Sequence, residues 1–254
     1  MNGNHVLEIK GVRFGEGLPK ICLPLTGQGI PALLSQAQQM ASLPGDLYEW
    51  RMDGFYGELL PALPQLREAL GDKPLLCTLR TKEEGGQGEL SPEEYEVQLT
   101  ALLEAGGVDL IDIELSSGEE CTARLVELAH SQGVAAVVSK HDFAKTPPQE
   151  EIAATLVRMK DLGADLPKYA VMPRDPGDVL TLLEATWQAS RQVGPVITMS
   201  MGELGKLTRA AGGVFGSCVT FGVGVQASAP GQIGAEDLRA ILEDLQPYDG
   251  NPLR

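Results

Sequence analysis

Short runs rich in Val, Ile and Leu alternate with longer amphipathic stretches along most of the chain. The short runs are typical of buried parallel strands, and the longer stretches are typical of helices. The predicted strands span residues 21–26, 47–53, 74–80, 109–115, 135–141, 169–172, 196–201 and 219–222. The helices predicted after them span residues 31–43, 59–70, 92–105, 119–131, 150–162, 178–192, 204–211 and 235–245. Because alternating strands and helices produce parallel pairing, the pattern predicts an α/β fold.

Eight strand–helix units in 254 residues match a closed (β/α)8 TIM barrel, a fold that typically takes about 250 residues. An open doubly wound sheet stays an alternative, because alternation does not prove closure. Residues 6–18 predict a short N-terminal β-hairpin leader around Gly15-Glu16-Gly17. The Ser91-Pro92-Glu93-Glu94 segment predicts a capping box at the start of one helix. No change in composition marks a second domain, so residues 1–254 are expected to form one.

The formal net charge of -15 arises from 35 acidic and 20 basic residues. It argues against a nucleic-acid partner and against docking on an anionic membrane. No run of about 18 apolar residues predicts a membrane span, and no signal-peptide pattern is visible. The four cysteines lie far apart without a CxxC motif, which favours free thiols and a cytoplasmic location.

Charged residues interrupt several predicted strands near one end. In the second strand, Glu49, Arg51 and Asp53 alternate and therefore share a face, as do Asp112 and Glu114 in the fourth. Buried charges are costly unless they are paired, so a set of ion pairs that fills the barrel, such as Glu49 with Arg51, is one interpretation. Charged groups in five consecutive strands instead favour convergence on one cavity, at the C-terminal mouth where barrel active sites lie.

Two titratable residues carry the most information about chemistry. His141 ends a predicted strand, a position that suits a base or a metal ligand, whereas His130 ends a helix and is interpreted as structural. Lys168 lies at the start of the sixth predicted strand, whereas barrel chemistry lies at the strand ends. An inward lysine needs a partner or a reaction. A lysine desolvated near cations such as Arg51, Arg80 and Arg209 is a good nucleophile. A metal site is not expected, because no ligand spacing recurs.

Seven segments together resemble type I 3-dehydroquinate dehydratase, in order along nearly the whole chain. They are Glu49-Trp50-Arg51-Met52-Asp53, Thr78-Leu79-Arg80 with Glu83-Glu84-Gly85-Gly86, Ser139-Lys140-His141-Asp142-Phe143, Lys168-Tyr169-Ala170-Val171-Met172-Pro173, Met199-Ser200-Met201-Gly202, Arg209 with Val214-Phe215-Gly216-Ser217, and Ser228-Ala229-Pro230-Gly231-Gln232. Each segment is a modest match, and the ordered set is specific.

The resemblance implies a (β/α)8 barrel, commonly a homodimer, that dehydrates 3-dehydroquinate to 3-dehydroshikimate in the shikimate pathway of aromatic amino acid biosynthesis. It implies a lysine Schiff base and no cofactor. Lys168 matches the Schiff-base lysine, His141 the general base and acid, and Glu84 the carboxylate that orients the histidine. Groups that bind substrate are matched by Glu49, Arg51, Arg80, Arg209, Ser228 and Gln232, with Met199, Met201 and Phe221 on the apolar side.

Two other functions stay open from the sequence. A class I aldolase acting on a sugar phosphate also uses a Schiff base in a barrel, and it would need a phosphate site after strands seven and eight. Gly202-Glu203-Leu204-Gly205 and Gly222-Val223-Gly224 are weak candidates for such a site. A catalytically inactive barrel that serves as a binding protein is the third interpretation, and the presence of both Lys168 and His141 argues against it.

Overall fold

The computed structural model describes residues 6–225 and 231–245. The strands are β1 (Leu7–Ile9), β2 (Val12–Phe14), β3 (Lys20–Leu25), β4 (Leu47–Arg51), β5 (Leu75–Thr78), β6 (Leu110–Glu114), β7 (Ala135–Asp142), β8 (Leu166–Val171), β9 (Ile197–Ser200), β10 (Val219–Val223) and β11 (Ile233–Gly234). The helices are α1 (Ile30–Met40), α2 (Leu59–Leu70), α3 (Pro92–Ala105), α4 (Glu119–Ser131), α5 (Gln149–Asp161), α6 (Pro176–Val193), α7 (Lys206–Ala211) and α8 (Ala235–Asp244).

The parallel sheet closes into a barrel, as the alternation of strands and helices predicts. Its order runs from β10 through β3, β4, β5, β6, β7 and β8 to β9, with the short β11 beside β10. Cys218, which precedes β10, joins the two ends of this order. Its N–H donates to the Val196 carbonyl at 2.8 Å, and its own carbonyl accepts from the Lys20 N–H at 2.8 Å. The open-sheet alternative is therefore excluded.

Side chains from the strands form two separate apolar layers. Outward residues such as Tyr48, Trp50 and Ile111 pack under the helices. Inward residues such as Leu76 and Val137 fill the barrel interior. This division follows from the alternation of side chains along a strand and leaves the remaining inward positions for the polar residues of the mouth.

The N-terminal hairpin closes the bottom of the barrel. Strands β1 and β2 pair antiparallel, and Phe14, fully buried, belongs to the interior layer. The turn lies at Lys10 and Gly11, with φ of 48° and 77°, and not at Gly15-Glu16-Gly17 as predicted. Positive φ at both central residues is what a tight two-residue hairpin requires, so the later glycines serve the connection to β3.

Helix boundaries follow the sequence closely, and one strand boundary does not. The capping box is present, since Ser91 Oγ accepts from the Glu94 N–H while Glu94 accepts from the Ser91 N–H. Strand β8 begins at Leu166, three residues before the predicted start. Lys168 therefore lies inside the strand, in register with Ser139 and Ile197 of its neighbours. This placement removes the conflict between a lysine at a strand start and chemistry at the barrel mouth.

Candidate active site

A single cavity at the C-terminal mouth gathers residues from most of the barrel strands and from the loops that follow them. The residues lining it include eleven of the twelve predicted for the site; Ser228 lies outside the described residues. The lining residues are Glu49, Arg51, Arg80, Glu84, Gly85, His141, Phe143, Lys168, Ala170, Met199, Met201, Arg209, Phe221 and Gln232. The convergence expected from charges in consecutive strands is therefore found.

Lys168 reaches into this cavity from the middle of β8. The residue is 3% exposed, and its Nζ lies 5.0 Å from the centroid of the Phe221 ring. Ala170, two residues further along, lines the same cavity and is small enough to leave space above the amine. The Nζ atom donates a hydrogen bond to Asp112 Oδ2 at 2.9 Å. The sequence predicted cations around this lysine, and the structure adds an anion in direct contact.

Arg80 holds together the carboxylates of the barrel mouth. Its Nη2 donates to Asp112 Oδ1 at 2.8 Å, and its Nη1 donates to Glu114 Oε1 at 2.7 Å and to Ser139 Oγ at 3.1 Å. Glu84 Oε2 lies 3.4 Å from the same Nη1. The residue is 3% exposed, and its pairing with three carboxylates offsets the cost of burying the guanidinium.

Glu84 and His141 form a hydrogen-bonded pair. His141 Nδ1 lies 2.8 Å from Glu84 Oε2, and Ser116 Oγ donates to Glu84 Oε1 at 2.6 Å. Burial raises the pKa of Glu84 to about 7, partly offset by Arg80. Burial, together with the positive charges of Arg80 and Lys168, lowers the pKa of His141 well below its ordinary value. The imidazole is therefore neutral near pH 7, with Nδ1 bound to Glu84 and Nε2 left to serve as a base.

Two glycines allow the β5–α3 loop to deliver Glu84. A Cβ on Gly86 would lie 2.2 Å from the Arg80 carbonyl oxygen, which the Gly88 N–H also approaches, to 3.1 Å. Gly85 has φ of 81°, and a Cβ there would meet the Phe143 ring at 2.2 Å. That ring stacks beside His141, with centroids 6.4 Å apart. The Glu-Glu-Gly-Gly segment thus fits the loop tightly against Arg80 on one side and Phe143 on the other.

Arg209 and two methionines form another wall. Arg209 is 2% exposed in α7, and its Nη1 lies 3.6 Å from Met199 Sδ. Burial lowers the pKa of Arg209 to about 10, so the guanidinium stays charged at neutral pH. Met201 lines the same cavity. A charged group beside apolar side chains suits a ligand with one anionic end and a hydrocarbon body.

The second strand contributes Glu49 and Arg51, but not as a pair with each other. Arg51 binds Asp53 through two hydrogen bonds of 2.9 and 3.0 Å, while Glu49 Oε1 accepts from Thr78 Oγ1 at 2.9 Å. Burial would raise the pKa of Asp53, but its bonds to Arg51 hold it below its ordinary value. The interpretation of Glu49 and Arg51 as a mutual ion pair is therefore wrong.

Two residues that the predicted site did not include have a central place in the cluster. Asp112 and Glu114 are each 1% exposed and accept hydrogen bonds from Arg80. Their alternation in β6 was the available signal, because it placed both carboxylates on the inward face. Their side-chain partners lie 27 to 56 residues away in the sequence, so periodicity alone could not assign them.

Across residues 6–225 and 231–245, no group of three or more His, Cys, Asp or Glu side chains is placed to hold a metal ion. Among the same residues, no helix combines the length and hydrophobicity that a bilayer crossing requires.

Comparison with known proteins identifies the family. A family model described as type I 3-dehydroquinase matches residues 21–249. The 3-dehydroquinate dehydratase of Syntrophotalea carbinolica is 49% identical over 243 residues, covering 93% of this chain and 96% of that protein. The relative from Bacillus subtilis is 45% identical over 248 residues, covering 95% of this chain and 97% of its own.

Solved structures agree with the sequence relatives. A type I 3-dehydroquinate dehydratase from Clostridium difficile superposes with a TM-score of 0.92 at 41% identity, covering 95% of this chain and 98% of that one. A 3-hexulose-6-phosphate synthase shares 22% identity with a TM-score of 0.61, a likeness of fold alone. The chain belongs to the type I 3-dehydroquinase family.

Proposed function

We propose that this protein dehydrates 3-dehydroquinate to 3-dehydroshikimate through a Schiff base on Lys168. The observation that carries the proposal is that Lys168 and the His141–Glu84 pair line one cavity. A nucleophilic amine and a neutral imidazole in the same cavity are the two groups that the reaction needs.

The lysine provides the electron sink. Removing a proton beside a ketone is difficult, because the carbanion needs somewhere to place its electron pair. Condensation of Lys168 with the C3 carbonyl gives an iminium, which accepts that pair as an enamine. The reaction therefore needs neither a metal nor an organic cofactor.

His141 moves the protons. Its Nε2 takes the proton from C2 and then protonates the departing C1 hydroxyl. The Nδ1 hydrogen bond to Glu84 fixes the ring and the tautomer, as a carboxylate partner does for a general-base histidine. The lowered pKa of His141 keeps the base neutral until it receives the substrate proton.

The cavity also has groups to bind an anionic, hydroxylated ring. Arg209 is the candidate for the substrate carboxylate, since a buried guanidinium grips a carboxylate through paired hydrogen bonds. Glu49, Arg51 and Gln232 line the cavity as candidates for the ring hydroxyls, with Ser228 assigned to the same role by sequence alone. Arg80 lines the cavity too, although its Nη atoms already donate to carboxylates. Met199, Met201 and Phe221 cover the apolar side.

The decisive experiment is borohydride trapping. Reduction in the presence of 3-dehydroquinate should add the mass of one substrate or product less one oxygen atom per chain, because condensation releases water and reduction adds two hydrogens. Peptide mapping should place the adduct on Lys168. The same treatment of Lys168→Met should give no adduct. An unmodified wild-type mass after turnover would contradict the imine. Sugar phosphates, the substrates of the alternative aldolase, should give neither turnover nor adduct.

We also propose a homodimer. Several apolar side chains are exposed on α6 and on the segment that follows α7: Leu180, Trp187 and Val214. The Ser190 hydroxyl bonds to the Phe215 carbonyl at 3.2 Å, which brings the two segments together. Light scattering should give twice the chain mass, and Trp187→Asp should shift it toward the monomer. An unchanged mass in the variant would assign the dimer to another face.

A cytoplasmic location completes the proposal. The four cysteines are free and buried, which suits a reducing compartment. Fractionation of cells that express the tagged chain should recover it with cytoplasmic markers, and enrichment in another fraction would contradict the assignment.

A further inference from the structure

Asp112 is a buried titratable group that the reaction outlined above does not use. It lies third in β6, is 1% exposed and points into the barrel. Its Oδ1 accepts hydrogen bonds from Arg80 Nη2 at 2.8 Å and Ser139 Oγ at 2.6 Å, and its Oδ2 accepts from Lys168 Nζ at 2.9 Å. Among the described residues, no other hydrogen bond from Nζ is found.

The surroundings of Asp112 keep it ionised. Burial alone would raise the pKa of this carboxyl, but the positive charges of Arg80 and Lys168 hold it below its ordinary value. All three hydrogen bonds are donated to the carboxylate, and such bonds favour the charged form. Asp112 is therefore a poor proton acceptor and a stable negative charge.

We propose that Asp112 is the fixed counter-ion of the Lys168 nitrogen, stabilising its cationic forms and orienting the iminium N–H throughout the reaction. This inference rests on the Schiff-base function proposed above. Asp112 qualifies as a catalytic residue because its Oδ2 touches the nitrogen that reacts with the substrate.

The charge balance of imine formation agrees with this role. A lysine ammonium and a ketone give a protonated imine and one water, so the nitrogen carries one positive charge before and after condensation. The N–C bond forms, the C–O bond breaks, and the oxygen leaves with two of the three ammonium protons. Asp112 faces a cation at both stages and need not change its own protonation state.

The geometry of the iminium gives Asp112 a second effect. An iminium nitrogen is planar and bears the lysine carbon, the substrate carbon and one hydrogen. If the iminium N–H keeps its hydrogen bond to Asp112 Oδ2, the substrate carbon is directed away from β6 and toward the open cavity. A single fixed N–H direction selects one of the two imine isomers and places the substrate ring reproducibly beside His141.

The same carboxylate also acts on the next proton transfer. When C2 loses its proton, the positive charge leaves the nitrogen and appears on His141. The negative charge of Asp112 raises the proton affinity of His141, in opposition to the burial that lowers its pKa. The Asp112 carboxylate therefore stabilises the positive charge both on the Lys168 nitrogen and, after proton transfer, on His141.

Any pH effect must be separated from the other charges at the mouth. The titratable and charged groups that face the Lys168–Asp112 pair from other elements are Arg80, Glu84, Glu114, His141, Glu49, Arg51, Arg209, Cys22 and Tyr95. A substitution that changes only Asp112 and keeps its shape is therefore needed, with a matched carboxylate elsewhere as control.

The test compares Asp112→Asn with Asp109→Asn. Asp109 immediately precedes the same strand, is paired with Arg67 at 2.7 Å, and lies at the opposite end of the barrel. Both substitutions are placed in a His141→Ala background, where the imine is expected to form and persist. Each protein is incubated with 3-dehydroquinate, and cyanoborohydride, which reduces iminium ions selectively, is then added across a pH series.

Loss of an adjacent opposite charge shifts a pKa by about 1–3 units. Removal of the Asp112 carboxylate should therefore lower the pKa of the protonated imine by about this amount. Trapping in the parent and in Asp109→Asn should change little up to about pH 8. In Asp112→Asn the trapping rate should fall about tenfold for each unit that the pH rises. At about pH 8 it should be about 10- to 1000-fold slower than in the parent, and it should recover at acid pH. A folded Asp112→Asn protein with the parental rate and pH dependence would overturn the role of Asp112.

A second measurement needs no change at Asp112. In the His141→Ala protein carrying 15N-labelled lysine, the adduct nitrogen should keep the chemical shift of a protonated imine at about pH 8. A neutral imine there would overturn the counter-ion even if Asp112→Asn fails to fold. If neither the His141→Ala protein nor the wild type forms any adduct, the Schiff-base function fails and this role with it. An adduct indifferent to Asp112 overturns only the role.

Discussion

The two ends of the barrel use the same residue types in opposite ways. At the bottom, a carboxylate just before a strand accepts the backbone N–H of the preceding strand, and the arrangement occurs three times. The carboxylates belong to Asp46, Asp109 and Asp165. The N–H donors are Ile21, Leu75 and Ala136, at 2.7, 2.9 and 2.8 Å. Each carboxylate also meets a cationic or titratable side chain: Arg239 for Asp46, Arg67 and Lys10 for Asp109, and His130 for Asp165.

The charged groups at the barrel mouth show no such repeated arrangement. Three carboxylates share the guanidinium of Arg80, one of them also touches Lys168, and another touches His141. At the bottom each charge completes a local backbone arrangement, so its role is to fix strand register. At the mouth the charges are coupled to one another, so moving one proton or binding one ligand changes the others. Paired substitutions at the two ends should separate stability from catalysis.

The largest effect is expected for Lys168→Met against Lys73→Met. Lys73 lies at the bottom, where its Nζ donates to the Gly45 carbonyl at 2.8 Å. Loss of the covalent nucleophile should reduce kcat at least about 10⁴-fold, measured as formation of the conjugated enone. Lys73→Met should keep wild-type kcat. Turnover in Lys168→Met within about tenfold of wild type would contradict the Schiff base.

His141→Ala against His130→Ala should give the next largest difference. Both imidazoles lie near a carboxylate, at 2.8 and 2.9 Å, but only His141 lines the cavity. Loss of the general base should lower kcat about 10²- to 10⁴-fold while the imine still forms. His130→Ala should change only thermal stability. Equal kcat values for the two variants would remove His141 from the reaction.

Glu84→Gln tests the coupling of the mouth to pH. Burial raises the pKa of Glu84 from 4.5 to about 7, so the folded protein holds a proton that the unfolded chain has released between these values. The stabilisation from this group is complete below pH 4.5 and is lost as pH rises through about 7, with a ceiling of about 3 kcal/mol. Urea unfolding at about pH 5 and pH 8 should show the wild type losing more stability than Glu84→Gln. Equal losses of stability in the two proteins would show that the pKa of Glu84 is not raised.

Arg209→Ala against Arg67→Ala should separate binding from folding. Hydrogen bonds to a charged group contribute about 1.5–3 kcal/mol, so Arg209→Ala should raise KM about 10- to 100-fold with a smaller change in kcat. Arg67, which bonds to Asp109 at the bottom, should affect stability and leave KM unchanged. An unaltered KM in Arg209→Ala would contradict its assignment to the substrate carboxylate.

Asp46→Asn should have the smallest effect and act only on stability. It weakens the hydrogen bond from the Ile21 N–H and the ion pair with Arg239. The expected cost is about 1–2 kcal/mol in the free energy of unfolding, measured with urea, at wild-type kcat. A fall in kcat without loss of stability would mean that the two ends of the barrel are coupled.

Local signals predicted the elements well. Helices α2, α3 and α4 begin and end at the predicted residues, because caps and glycines within one turn decide where a helix starts and stops. The strand count and their parallel order followed from alternation. The start of β8 was predicted three residues too late. A proline such as Pro167 is typical of a strand boundary, but here it lies within the strand, in register with Val138. The site residues implied by the resemblance include every residue that the structure shows lining the cavity except Gly85, Phe143 and Ala170, which lie within the matching segments.

The sequence by itself determined the barrel, the family and most of the side chains at its mouth, because periodicity, caps and ordered motifs are local properties of the chain. Tertiary structure decided which charges meet. The contacts of Asp112 with Arg80 and with Lys168 join residues 32 and 56 positions apart, and closure of the barrel sets both distances. Whether a buried lysine faces a cation or an anion depends on such distances, since charge interactions in a dry interior vary steeply with separation.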